Sequence, residues 1–169
     1  TLLDRKIKNQ NKYDVIWLKN VLEHIIDPIK LLKDLRKLIH KKGCLVLTIP
    51  NDASDLQEHC YENKLIKERF WITLPDHLSY FNYDSIKNIG QYTGYKCKEI
   101  LGDFPVDLFL LHSGSNYVED KSLGPEAHNA RIQMSLLLSK NNIEDNVNFY
   151  SALAKVGLGR DLAVFFTPE

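Results

Sequence analysis

The first apolar run, Tyr13-Asp14-Val15-Ile16-Trp17-Leu18, is short, β-branched and aromatic. It is continuous rather than alternating, and predicts a strand over 13–18 buried on both faces of a parallel sheet. Ile29, Leu31, Leu32, Leu35, Leu38 and Ile39 then recur at i, i+3, i+4 spacing and predict a helix over 28–41. Asp27 suits its N-cap and Pro28 its first position. Lys41 and Lys42 suit the negative end of its dipole, and Gly43 suits a left-handed C-terminal cap. Residues 44–49 predict a second buried strand, ended by Pro50. Strand, helix and strand make a βαβ unit, right-handed by default.

Residues 51–80 are polar and aromatic with weak periodicity, and predict a loop holding one short helix near 57–68. In α/β folds the loops after the carboxyl ends of strands form the ligand crevice. An excursion of this length there suggests a functional lid. Residues 83–93 predict a helix capped by Asn82, with Ile86 and Ile89 inward and Gly94 at its end. Residues 95–101 alternate as a strand does, and 106–111 fit strand or helix. Residues 125–140 and 143–156 carry helical periodicity, with Ile132, Leu136, Val147, Tyr150 and Leu153 among the apolar positions. The turn at Gly157-Leu158-Gly159 leads to a last strand over 161–167. No linker or internal repeat interrupts the pattern, so residues 1–169 are expected to form one α/β domain.

The composition excludes several classes. Hydrophobic residues are 44% and charged residues 26% of the 169, as in an ordinary globular domain. Lys plus Arg is 22 and Asp plus Glu is 22, a balance that argues against a nucleic-acid partner, whose phosphates call for a basic surplus. No apolar run approaches the ~20 residues of a membrane-spanning helix, and the first residues lack the apolar core of a secretory signal. Cys44, Cys60 and Cys97 are odd in number and far apart, which suggests reduced thiols in a cytoplasmic protein.

Certain segments carry more than a fold class. Tyr13-Asp14-Val15-Ile16, then Val21-Leu22-Glu23-His24-Ile25 and Asp27-Pro28, resemble the fourth-strand motif of class I S-adenosylmethionine-dependent methyltransferases of the type 11 and 23 kind. Lys42-Gly43-Cys44-Leu45-Val46-Leu47 through Pro50-Asn51 resemble the fifth-strand motif. Pro75-Asp76-His77-Leu78 with Phe81, then Ile86 and Gly94-Tyr95, resemble the stretch that follows it. The resemblance covers roughly residues 13–101. The tail, with Gly124-Pro125-Glu126 and His128 and with Gly159-Arg160-Asp161, looks more loosely like members associated with sugar or cell-surface polysaccharide modification.

The resemblance implies a Rossmann-like α/β fold and methyl transfer from S-adenosyl-L-methionine to a small-molecule or sugar-linked acceptor. The cofactor brings the reactivity, and the protein supplies positioning and sometimes a general base. Leu18 and Lys19, carried over by position, would lie along the cofactor; without the resemblance they are a core leucine and a solvated loop charge. The Glu23–His24 pair is implied to anchor the loop into the next helix. His77 follows the lid-like segment, where an imidazole can take a proton from an acceptor hydroxyl. Trp71, Tyr80 and Phe81 can wall an acceptor pocket or simply be aromatic core. His59, Cys60 and His77 fit no common zinc spacing and lack a fourth ligand. Gly157-Leu158-Gly159-Arg160 follows a helix and precedes a strand, the reverse of a dinucleotide fingerprint.

One departure is sharp. The family's first motif is a strand ending in an acidic residue and a glycine-rich turn, and a second acidic residue takes the ribose hydroxyls. Residues 1–42 contain no glycine. The chain therefore looks like the carboxyl-terminal part of the fold. The family's strand order, 3-2-1-4-5-7-6, would leave strands 4-5-7-6. The first retained strand would be an edge with an uncovered apolar face. Self-association through that edge is expected, unless residues 1–11 or the tail helices cover it. Two further alternatives stand: a non-catalytic methyltransferase-like domain that does not bind the cofactor, and an unrelated doubly-wound domain.

Overall fold

The computed structural model describes residues 2–9 and 12–169. Four strands form one sheet: β1 (Tyr13–Lys19), β2 (Ile39–Pro50), β3 (Tyr95–Gly102) and β4 (Asp161–Pro168). Their spatial order is β1-β2-β4-β3. β1 lies parallel to β2, while β4 is antiparallel to both β2 and β3. This is the 4-5-7-6 arrangement that the resemblance implies, a partial Rossmann-like sheet with the last strand inserted between its predecessors. Around it stand α1 (Leu2–Lys8), α2 (Pro28–Arg36), α3 (Asp55–Glu62), α4 (Tyr83–Tyr92), α5 (Gly124–Leu138) and α6 (Ile143–Lys155). No helix among the described residues is long and apolar enough to cross a membrane.

Strand alternation sorts the sheet into two unlike faces. Leu45, Leu47 and Ile49 of β2 and Leu162, Val164 and Phe166 of β4 share the core face and are fully buried. Leu22, Leu32, Leu35 and Ile86 close over them. Each such side chain contributes about 1.5–3 kcal/mol by leaving water. On the opposite face α6 packs on β3, where Ser151 Oγ donates to Glu99 Oε1 at 2.9 Å.

That opposite face corrects one expectation. β1 is not buried on both sides: Val15 is 60% and Trp17 62% exposed, while Ile16 and Leu18 pack against the core. β1 is an edge of the described sheet, as the resemblance implies. α1 lends Leu3 to the core cluster and leaves Val15 and Trp17 open.

The helix expected over 28–41 ends at Arg36. Asp27 does cap it, accepting from the Lys30 N–H at 2.8 Å. Leu38 and Ile39 are apolar because they enter the sheet rather than prolong the helix stripe. The Tyr13 N–H donates to the Leu38 carbonyl at 2.8 Å, and Ile39 pairs with Tyr13. The register then shifts, and Val15 pairs with Cys44. Gly43 is needed for close approach within this bulge, not for a helix cap. A β-carbon there would meet the Asp14 carbonyl at 2.8 Å.

The short helix near 57–68 starts earlier, at Asp55, because Ser54 and Gln57 form a reciprocal capping box. Asn82 caps α4 in the same manner, through Ser85. The ambiguous segment 106–111 is a 3₁₀ helix, Val106–Leu111.

Candidate functional site

The amino end of antiparallel β4 meets the carboxyl ends of its neighbours. Pro50 pairs with Asp161, and Gly102 with Leu162. Lys19, Asn51, Asp103 and Arg160 therefore gather along one edge of the sheet, where α/β folds place ligands. Asn51 ties the edge together. Its N–H donates to the Arg160 carbonyl at 2.9 Å, and its Nδ2 to the carbonyls of Gly159 at 2.7 Å and Gly157 at 3.2 Å. Gly159 passes so near Gly102 that a β-carbon would lie 2.4 Å from the Gly102 Cα. Asp103 and Asp161 hook onto each other. The Asp161 N–H donates to Asp103 Oδ1 at 2.8 Å, and the Asp103 N–H to the Asp161 carbonyl at 3.0 Å.

The edge is rich in acid around one arginine. Arg160 lies 3.4 Å from Asp52 Oδ1, with its guanidinium over the Phe70 ring at 5.5 Å. Burial works against its charge, but Asp107, Asp52 and Asp161 hold its pKa above the ordinary value. Burial pushes Asp52 up, against the pull of Arg160. Asp161 is raised for the same reason, opposed by Arg160 and more weakly by Arg131 and Lys19. Asp103 is pushed up to about 6, chiefly by burial, with repulsion from Asp161 adding to it. Behind them Asp107 accepts from Gln57 Nε2 at 2.8 Å and from Tyr117 Oη at 2.6 Å. Burial, with Asp107 beside it, raises Tyr117.

Two cavities open on this edge and share Asp103, Arg131 and Asp161. One, of about 270 Å³, adds Phe104, Tyr150 and Thr48. The other, of about 390 Å³, adds Tyr117, His128 and Arg160. Together they offer carboxylates, two arginines and aromatic faces. A polyhydroxylated ligand uses such a set through hydroxyl hydrogen bonds and ring stacking.

The residues singled out in the sequence are distributed differently. Leu18 is half-buried against the core, and Lys19 is exposed at the end of β1. Trp71 is 2% exposed in a second apolar cluster with Cys60, Ile66 and Leu110. Phe81 is 6% exposed in the main core, and its carbonyl accepts from the Asp52 N–H at 2.7 Å. Tyr80 Oη donates to the His77 carbonyl at 3.2 Å. The His77 ring meets His24 edge-on, centroids 4.9 Å apart. The Glu23–His24 pair holds the 76–79 segment. The Glu23 carbonyl accepts from the N–H groups of Leu78 and Ser79, and His24 Nδ1 lies 2.8 Å from the Asp76 carbonyl.

His59 is exposed on α3 while Cys60 is buried in the second cluster, so these two do not meet His77. Of the crevice residues, Asp103 and Arg131 are absent from the sequence expectations, and Tyr150 enters them only as an apolar helix position. A strand-end rule applied to β3 points to Asp103; Arg131 and Tyr150 reach the crevice only through the docking of α5 and α6.

The family comparison covers residues 4–100, more than half of the chain, which match a family described as a methyltransferase domain. No curated protein matches the chain. Among solved structures, a SAM-dependent methyltransferase from Archaeoglobus fulgidus is similar with TM-score 0.50 and 17% identity over 98% of this chain and 64% of that one. The complex between the Haloferax volcanii Trm112 methyltransferase activator and its methyltransferase candidate gives TM-score 0.51 and 10% identity, over 94% and 55%. A Haemonchus contortus phosphoethanolamine N-methyltransferase 2, in complex with phosphomonomethylethanolamine and S-adenosylhomocysteine, gives 0.49 and 14%, over 95% and 34%. The chain thus spans less than two thirds of each of these structures.

Proposed function

The chain belongs to the methyltransferase-domain family, and on that premise we propose that its carboxyl-edge crevice is the acceptor side of an S-adenosylmethionine-dependent methyltransferase. The acceptor we assign is a sugar-linked or similarly polyhydroxylated small molecule. The observation that supports this is the convergence of Asp103, Asp161 and Arg131 with Phe104 and Tyr150 on one cavity.

Acceptor hydroxyls donate to Asp103 and Asp161, and a sugar ring lies against the aromatic faces. Asp103, with its pKa near 6, is ionised at neutral pH and still basic enough to accept a proton from a hydroxyl turning nucleophilic. We place the proton acceptor there rather than at His77, whose ring packs on His24. We assign residues 51–80, whose Asp52 and Phe70 meet Arg160, as the lid of this edge.

S-adenosylmethionine supplies a reactive methyl group when bound. The residues of this chain do not complete a site for it. Residues 1–42 hold no glycine, so they themselves supply no turn without β-carbons that lets backbone approach the cofactor. Leu18 and Lys19 offer one wall at the end of β1 and no more. The second reading is a non-catalytic methyltransferase-like domain that does not bind the cofactor.

Two titrations separate the readings. Saturation-transfer NMR with a panel of methyl glycosides is expected to show binding that Asp103→Asn weakens about tenfold, as loss of one charged hydrogen-bond partner does. Absence of any glycoside signal defeats the acceptor assignment. Calorimetry with S-adenosylhomocysteine addresses the cofactor. One ligand per chain means that the β1 end suffices, alone or across a dimer. No heat at millimolar ligand, with no glycoside bound, leaves the non-catalytic domain.

A further inference from the structure

Apart from the crevice, one cluster of side chains holds unused donor atoms. Glu23, His24 and His77 each offer a ligand atom, and these atoms lie within 4.8 Å of one another. Glu23 is 1% exposed, and its Oε2 is buried without a hydrogen-bond partner. A carboxylate taken out of water without a compensating charge is costly, so a cation beside it is the chemical expectation. His77 Nδ1 is also buried and without a partner.

His24 is oriented as a metal-binding imidazole is. Its Nδ1 lies 2.8 Å from the Asp76 carbonyl. A carbonyl can only accept, so Nδ1 carries the proton and Nε2 presents its lone pair. That Nε2 lies 3.8 Å from Glu23 Oε1. Bonds of about 2.0–2.2 Å set tetrahedral ligand atoms roughly 3.4 Å apart, so small side-chain rotations close the set. The backbone is already fixed, because the Glu23 carbonyl accepts from Leu78 and Ser79 and draws the His77 segment against His24.

We propose that Glu23, His24 and His77 form a site for one divalent transition-metal ion. Two imidazoles and a carboxylate favour zinc among the biological divalent ions, with a fourth position left to water or a ligand. The site stands independently of the methyltransferase reading. It joins two loops far apart in sequence, 22–24 and 76–79, so metal binding clamps the lid-like segment to the end of β1.

The test uses chelator-stripped chain titrated with Co²⁺, then with Zn²⁺. One ion per chain is expected, with a visible d–d absorption that Zn²⁺ abolishes and a rise in melting temperature. Glu23→Gln and His77→Ala are each expected to weaken binding by at least 10–100-fold, the loss seen when only an outer-shell partner is removed. His59→Ala is expected to bind as the parent does. His77 is partly exposed on a loop, and far-UV circular dichroism checks that its variant keeps the fold. No bound ion at millimolar metal overturns the proposal. Unchanged affinity in a folded His77→Ala chain overturns it equally, because the ion is then held elsewhere.

Discussion

Replacing Asp103 by Asn tests whether the crevice carries a destabilising charge kept for function. Asp103 has an ordinary carboxyl value of 3.8 and is raised to about 6 in the fold. The native state therefore holds its proton more tightly than the unfolded chain. The stability this contributes is complete below pH 3.8 and fades as the pH rises through about 6. At neutral pH the buried charge costs about 3 kcal/mol at 1.36 kcal/mol per pH unit. Asp103 is only partly covered, so screening reduces the figure to about 1.5 kcal/mol. Asn mimics the protonated acid, and its Oδ1 can keep the bond from the Asp161 N–H. Urea unfolding followed by fluorescence of buried Trp71 reads the difference. At pH 7.5 Asp103→Asn is expected to be more stable by about 1.5 kcal/mol, and near pH 4 by a few tenths. It is also expected to bind glycosides about tenfold more weakly, a gain of stability at the expense of the site. A variant less stable at pH 7.5, or one with the same difference at both pH values, refutes the reasoning.

Arg160→Ala leaves Asp52 and Asp107 without their shared cation. It is expected to cost about 3 kcal/mol in urea unfolding at pH 7, with the loss shrinking in acid as the carboxylates protonate. Gly159→Ala forces a β-carbon to within 2.4 Å of the Gly102 Cα, and backbone on both sides cannot yield cheaply. A loss of about 2–3 kcal/mol is expected in the same assay. We propose that exposed β1 pairs with a second copy of the chain. Trp17→Lys, placing charge on that open face, is expected to shift sedimentation equilibrium toward monomer. Identical weight-average masses for parent and variant count against the pairing.

The sheet was readable from the chain because its information is local and repeated. The β1 and β2 runs, the Asp27 and Asn82 caps and the alternation in β3 each agree with the next level of structure. Where the pattern misled, two elements shared one apolar stripe. Leu38 and Ile39 continue the period of α2, yet belong to the β2 side of the boundary, because Tyr13 supplies a partner that no periodicity shows. The crevice was harder still. Asp103 and Asp161 lie at distant positions and become a pair only when β4 runs antiparallel beside β3. Arg131 and Tyr150 sit on helices whose docking is decided by tertiary packing. The Glu23–His24–His77 cluster lay between these extremes. Both of its segments were conspicuous as motifs, but only the backbone bonds from Leu78 and Ser79 bring them together.

The insertion of β4 between β2 and β3 also governs when this protein can acquire its shape. During synthesis β1 and β2 leave the ribosome long before Asp161, and β3 must wait with neither edge paired. These four strands join into one sheet only once Asp161–Pro168 has emerged, so their pairing rests on contacts of long sequence separation and is slow to form. A nascent chain stalled in α6 would hold the β1–β2 pair and an unpaired β3, each with open backbone groups and each prone to pairing with a neighbour on the same message. A bulky insertion directly after Pro168 bears on β4, the strand that joins β2 to β3.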